Sequence, residues 1–84
     1  MLKIWAKLLV NHRVKKGIIF EAGEEYSAGN FFKYIEAICT ILKNPTPVIL
    51  KKHINEFENF NTTKFTAVDF VEEINFDKLV IENA

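Results

Sequence analysis

An alternation of apolar and polar side chains at the start of the chain restricts its fold more than any other feature. Leu2, Ile4, Ala6, Leu8 and Val10 alternate with Lys3, Trp5, Lys7 and Leu9. Successive side chains of a strand point to opposite faces, so a period of two predicts a strand with one apolar face. Val14, Ile18 and Phe20 repeat the pattern, with Lys16 as the exception. Two such segments in close succession make a hairpin, and parity then limits the connection between them. A two-residue Asn11-His12 turn would place Ile4 opposite Ile19 and Leu8 opposite Lys15, mixing the faces. A three-residue Asn11-His12-Arg13 connection pairs Val10 with Val14, Ala6 with Ile18 and Ile4 with Phe20, and sets Lys3 opposite Glu21. A slip of one residue turns every side chain to the other face. The pattern therefore predicts a loop of three or five residues.

The period then changes. Glu24 to Gly29 is polar and turn-like. Phe31, Ile35, Ile38, Cys39 and Leu42 share one face of a 3.6-residue repeat, which predicts a helix from about Asn30 to Lys43. Ser27 or Asn30 is its expected cap. The Asn44-Pro45-Thr46-Pro47 stretch must end it, because residues before proline avoid the α region. Thr46 as cap with Pro47 at the first helical position predicts a second helix over 47–60. Its apolar side holds Ile49, Leu50, His53, Ile54, Phe57 and Phe60. Asn59 to Thr63 reads as a turn, and Lys64–Thr66, Val71–Ile74 and Lys78–Ile81 read as short strands. The expected fold is α+β, in one domain spanning residues 1–84. Its small antiparallel sheet, the N-terminal β-hairpin plus short C-terminal strands, packs against two helices.

A domain of 84 residues buries a modest share of its surface and has little stability to spare. Here 49% of residues are hydrophobic and 8 are Phe, enough for a core without metals or disulfides. The single Cys cannot form an internal disulfide, which points to a reducing cytoplasm. The longest apolar runs, such as Leu8–Val10 and Val48–Leu50, are far shorter than the roughly 20 residues of a spanning helix. Lys3 and Lys7 break any signal-peptide core. Net charge is zero. Its distribution is uneven: residues 1–52 are predominantly basic and residues 53–84 predominantly acidic, so the halves neutralise each other on folding.

No catalytic or cofactor constellation emerges. His53 and Glu56 have a spacing that can share a metal on a helix, but CxxC and HxxxH are missing, and His53 points to the apolar side. It reads as a core or boundary residue bonded to backbone. Asp69, Glu72, Glu73 and Asp77 are interrupted by Phe70, Val71, Ile74 and Phe76, a pattern of strand edges facing water. Cys39 lies on the apolar helix face, where a thiol is inert. Gly17, Gly23 and Gly29 fit no phosphate-loop pattern. No catalytic, cofactor-binding or metal residue is assigned, and no cofactor is expected.

The hairpin carries the most informative surface. Its outer face presents Lys3, Trp5, Lys7, Lys15, Ile19 and Glu21, with Arg13 in the loop. Trp5, Leu9 and Ile19 need cover, either from the C-terminal strands or from a second subunit. Lysines interleaved with an aromatic also suit single-stranded nucleic acid, although zero net charge and one Arg argue against it.

Several stretches resemble a family of short uncharacterised bacterial proteins. They are Lys52-His53-x-x-Glu56-Phe57-x-x-Phe60, Thr63-Lys64-Phe65, Asp69-Phe70-Val71-Glu72, Phe76-Asp77-Lys78-Leu79-Val80-Ile81-Glu82 and the Lys3-Ile4-Trp5-Ala6-Lys7 opening. The resemblance implies a compact bacterial cytoplasmic protein and transfers no site residue. The expected function is that of a non-enzymatic protein-interaction or accessory module, with a homodimer as one form and Lys3, Trp5, Lys7, Arg13, Lys15 and Ile19 as its surface. The alternative is nucleic-acid binding through the basic hairpin. A small metal-dependent hydrolase using the C-terminal carboxylates comes third. No membrane partner is expected.

Overall fold

The computed structural model describes all residues, Met1–Ala84. Strands β1 (Lys3–Val10) and β2 (Arg13–Glu21) are followed by helices α1 (Phe31–Leu42) and α2 (Lys51–Phe60), then strands β3 (Thr62–Thr66) and β4 (Lys78–Asn83). The strands form one antiparallel sheet in the order β2-β1-β4-β3. The α+β architecture is the expected one: an N-terminal hairpin, two helices and short C-terminal strands. The first and last strands occupy the centre, so β4 packs beside β1 within the sheet and does not cross its outer face.

The hairpin turn differs from expectation. Asn11 and His12 both have positive φ, and Val10 pairs with Arg13, so the connection is a two-residue type I′ turn. Parity is restored one step later. Leu9 pairs with Val14 but Leu8 pairs with Lys16, leaving Lys15 in a bulge. Beyond the bulge, Ala6 opposes Ile18, Trp5 opposes Ile19, Ile4 opposes Phe20 and Lys3 opposes Glu21. The odd residue that the apolar pattern demands is present, but in the strand instead of the loop. The I′ turn is favoured because its twist matches that of the strands.

Sixteen buried residues form one core. The inner sheet face supplies Ile4, Ala6, Leu8, Phe65, Leu79 and Ile81, and α1 supplies Phe31, Ile35, Ile38, Cys39 and Leu42. Neither Ser27 nor Asn30 makes a side-chain cap bond. Asn30 Nδ2 donates instead to Glu24, whose carboxylate also accepts from Tyr34 Oη at 2.7 Å. That Tyr34 bond, then the Asn30 bond, hold the Glu24 carboxyl below its usual range.

The second helix starts later than Pro47. Val48 N–H donates to Asp69 O at 2.7 Å, which holds this stretch extended, and Pro47 is buried. The N-cap is Leu50, so Thr46 is not the cap. Phe60 is 71% exposed: α2 ends at the left-handed Asn61, leaving Phe60 over the β3 edge. Residues 71–74 are not a strand. The rings of Phe70 and Phe76 are buried and pack edge to face at 5.5 Å, which draws the segment between them into a loop. No helix is long and apolar enough to cross a membrane.

Candidate functional site

Alternation puts every second residue of the sheet on the face opposite the helices. Register arranges those residues in rows. Ile19, Trp5, Glu82 and Thr62 form one row, and Gly17, Lys7, Val80 and Lys64 form the next. Trp5 is 42% exposed and Ile19 55% exposed, so no segment of the chain covers them. The expected cover by the C-terminal strands is absent for a topological reason: β4 takes the hydrogen-bonding edge of β1, so it cannot also lie across its face.

Trp5 nonetheless has close neighbours on this face. Its Nε1 lies 3.5 Å from where a Gly17 Cβ would stand, an ordinary contact distance, so the indole lies against the β2 backbone at Gly17. Lys7 Nζ lies 4.1 Å from the indole centroid and donates to Glu82 Oε1 at 2.6 Å. The ammonium is thereby bound on two sides, by a ring face and by a carboxylate. Lys3 Nζ lies 3.6 Å from Glu21 Oε1. The face is thus apolar at Trp5 and Ile19 and carries paired charges beside them.

The remaining hairpin residues lie elsewhere. Arg13 is the first residue of β2, beyond the turn. The bulge moves Lys15 away from the Trp5 rows and into a cleft with Lys16 and Lys43. Of the six expected surface residues, the structure brings together Lys3, Trp5, Lys7 and Ile19. Glu82 and Val80 complete that surface. Their i, i+2 spacing in an apolar-alternating strand was the sequence signal for a shared face, but only pairing with β1 places that face beside Trp5.

His53 is completely buried and its ring packs against Phe65, tilted by 39° with centroids 4.3 Å apart. Leu50 N–H donates to His53 Nδ1 at 2.9 Å, so Nδ1 is the unprotonated nitrogen and the proton resides on Nε2. Nε2 lies 3.6 Å from Asp69 Oδ2, beyond good hydrogen-bond length, and has no closer partner. Burial lowers the His53 pKa, and the Asp69 carboxylate opposes that shift only in part. Asp69 is buried too and accepts Thr66 N–H at 2.9 Å, contrary to the expectation that this acid faces water. The other acids scatter. Glu72 and Glu73 are exposed on the loop, Asp77 accepts Asn11 N–H at 2.6 Å, and Glu56 accepts from Thr63 Oγ1 at 2.7 Å. No three His, Cys, Asp or Glu side chains converge where they could hold a metal ion. Burial pushes the Cys39 thiol up to about 11.

No protein-family model, curated protein or solved structure matches the chain. None of these comparisons supports the resemblance to short bacterial proteins, and no residue role comes from it.

Proposed function

We propose that this protein acts by binding, as a non-enzymatic interaction module of a reducing cytoplasm, and that the open sheet face is where a second copy docks. The observation that carries the reading is the exposure of Trp5 and Ile19 side by side on that face, where the central strand β1 meets the edge strand β2. Apolar surface left in water is unfavourable by about 25 cal/mol per Å², so a partner that covers it gains affinity. A second copy suits the charges. Around Trp5 and Ile19 the charges are paired, Lys3 with Glu21 and Lys7 with Glu82, while the unpaired Lys64 and Lys78 lie toward the β3 side of the face, so a twofold-related copy that docks over Trp5 and Ile19 meets little net repulsion there. The face is small, roughly 400 Å² in projection from ordinary strand spacings. That places the contact at the weak end of specific interfaces.

The paired charges also weigh against nucleic acid as the partner of this face. Phosphate binding needs cations free to replace counterions, whereas Lys7 is held between Glu82 and the indole. Catalysis has little support, since the one His–Asp pair is closed to solvent and the one thiol is buried.

Sedimentation over a wide concentration range tests the reading, with Trp5 emission followed alongside. Association should raise the weight-average mass, shift emission to the blue and slow iodide quenching. Ile19→Glu should abolish these changes and leave the monomer folded. A mass that stays monomeric while Trp5 quenches like free indole at every concentration rejects the dimer. A salt-sensitive response of Trp5 to single-stranded DNA would then favour the nucleic-acid reading.

A further inference from the structure

Three lysines meet at the end of the molecule away from the Trp5 rows, and each owes its place to a departure from regular backbone. Lys15 and Lys16 are consecutive in β2, where successive side chains normally point to opposite faces. Lys15 is the unpaired residue of the bulge, between Val14 opposite Leu9 and Lys16 opposite Leu8, so the alternation is suspended there and both lysines line one cleft of about 130 Å³. Lys16 opposes Leu8, so it holds a core-facing register position that an apolar residue would ordinarily fill. The third, Lys43, sits just past α1 with φ of 59°. Lys43 N–H bonds Thr40 O and Asn44 N–H bonds Cys39 O, the Schellman pattern, whose left-handed residue is usually glycine. A lysine there is unfavourable on backbone grounds alone.

None of the chain's four ion pairs involves these three lysines. Asn44 and Asn75 add side-chain amides to the same cleft, over a floor of Leu8, Leu42 and Phe76. A second hollow adjoins it, sharing Lys43, Asn44, Asn75 and Phe76 and adding Pro45, Ile74 and Glu73. One hollow is thus cationic and the next is partly apolar, with a single carboxylate as acceptor.

We propose that this double cleft binds a small phosphate monoester. The phosphate sits among Lys15, Lys16 and Lys43, and the organic part lies along Pro45 and Ile74. Three ammonium groups without carboxylate partners match a dianionic oxyanion, and Asn75 adds a neutral amide beside them, whereas Asn44 Nδ2 already donates to Pro45 O at 2.9 Å. The cleft is separate from the sheet face, so it stands or falls independently of self-association.

The test is amide chemical-shift mapping of the intact chain, titrated with inorganic phosphate and with phenyl phosphate, against chloride at equal ionic strength. Both phosphates should perturb residues 15, 16, 43, 44 and 75, and phenyl phosphate should also perturb 74 and bind more tightly. Lys16→Gln should weaken binding on the order of tenfold, as expected for losing a charged hydrogen bond. Lys43→Gly should weaken it similarly while raising the melting temperature, because glycine suits that left-handed position. This variant separates binding from folding. Perturbation by chloride equal to that by phosphate, or phosphate affinity unchanged in Lys43→Gly, would overturn the proposal. So would saturable binding of a single-stranded oligonucleotide at these residues with no response to either small phosphate, which would instead mark a nucleic-acid contact.

Discussion

The two faces of this sheet are made by the same four strands and obey opposite rules. On the inner face Ile4, Ala6, Leu79, Ile81 and Phe65 are sealed beneath α1 and α2. On the outer face Trp5 and Ile19 stand beside Lys3, Lys7, Glu21 and Glu82. Inside, apolar area dominates, and the buried His53 keeps Nδ1 bonded to Leu50 N–H while Nε2 faces Asp69 at 3.6 Å without a hydrogen bond. Outside, water screens charge and each contact is weak, so order comes from combination. Lys7 is held by the indole of Trp5 and the carboxylate of Glu82 together. A face built that way can give up its water to a partner, whereas the inner face cannot open without unfolding the chain.

Four changes probe that contrast. The largest effect is expected at Ile38, fully buried on α1. Ile38→Ala should lower unfolding free energy by ~2–5 kcal/mol, enough to unfold much of a domain this small. A loss under about 0.5 kcal/mol in urea titration, the scale of a surface substitution, would show that the inner face is not a true core.

Next comes His53. Its folded pKa lies below the unfolded value of about 6.5. The unfolded chain therefore binds the proton more readily, so the stabilisation is complete above about pH 6.5 and declines as pH falls from there toward the folded pKa. His53→Ala should destabilise by about 1–3 kcal/mol, stranding the Leu50 N–H, and should remove this part of the acid sensitivity. Equal pH slopes for wild type and variant between pH 7 and 5 would show that His53 is not the group responsible.

On the outer face, Trp5→Ala should change monomer stability by about 1 kcal/mol or less and act mainly on self-association. A loss as large as that of Ile38→Ala would erase the distinction between the faces. The smallest effect belongs to Glu82→Gln, about 0.5 kcal/mol for a partly exposed pair. A double-mutant cycle with Lys7→Met measures it, and a coupling above about 2 kcal/mol would show the pair to be desolvated within the monomer.

Local pattern made much of this legible in advance. The 3.6-residue spacing of Phe31, Ile35, Ile38, Cys39 and Leu42 determined the buried stripe of α1, because a helix offers those residues only one shared side. The period of two determined that Ile4, Ala6 and Leu8 lie together and that Trp5 opposes Ile19 across the hairpin. Where the extra residue of the hairpin goes was not local, since loop and bulge satisfy the same parity and the twist of the strands chose between them. The start of α2 depended on Val48 bonding to Asp69 O, and the Phe70–Phe76 contact kept 71–74 from forming a strand. These are contacts between segments distant in sequence. The same is true of the candidate surfaces. Sequence placed Trp5, Lys3 and Lys7 on one face, but only insertion of β4 beside β1 brought Glu82 to Lys7 and left the indole uncovered. Only the bulge and the left-handed end of α1 gathered Lys15, Lys16 and Lys43 into one cleft. Periodicity assigns a side chain to a face, whereas the neighbours of that face are decided by which strands pair, and that choice is made by the whole chain at once.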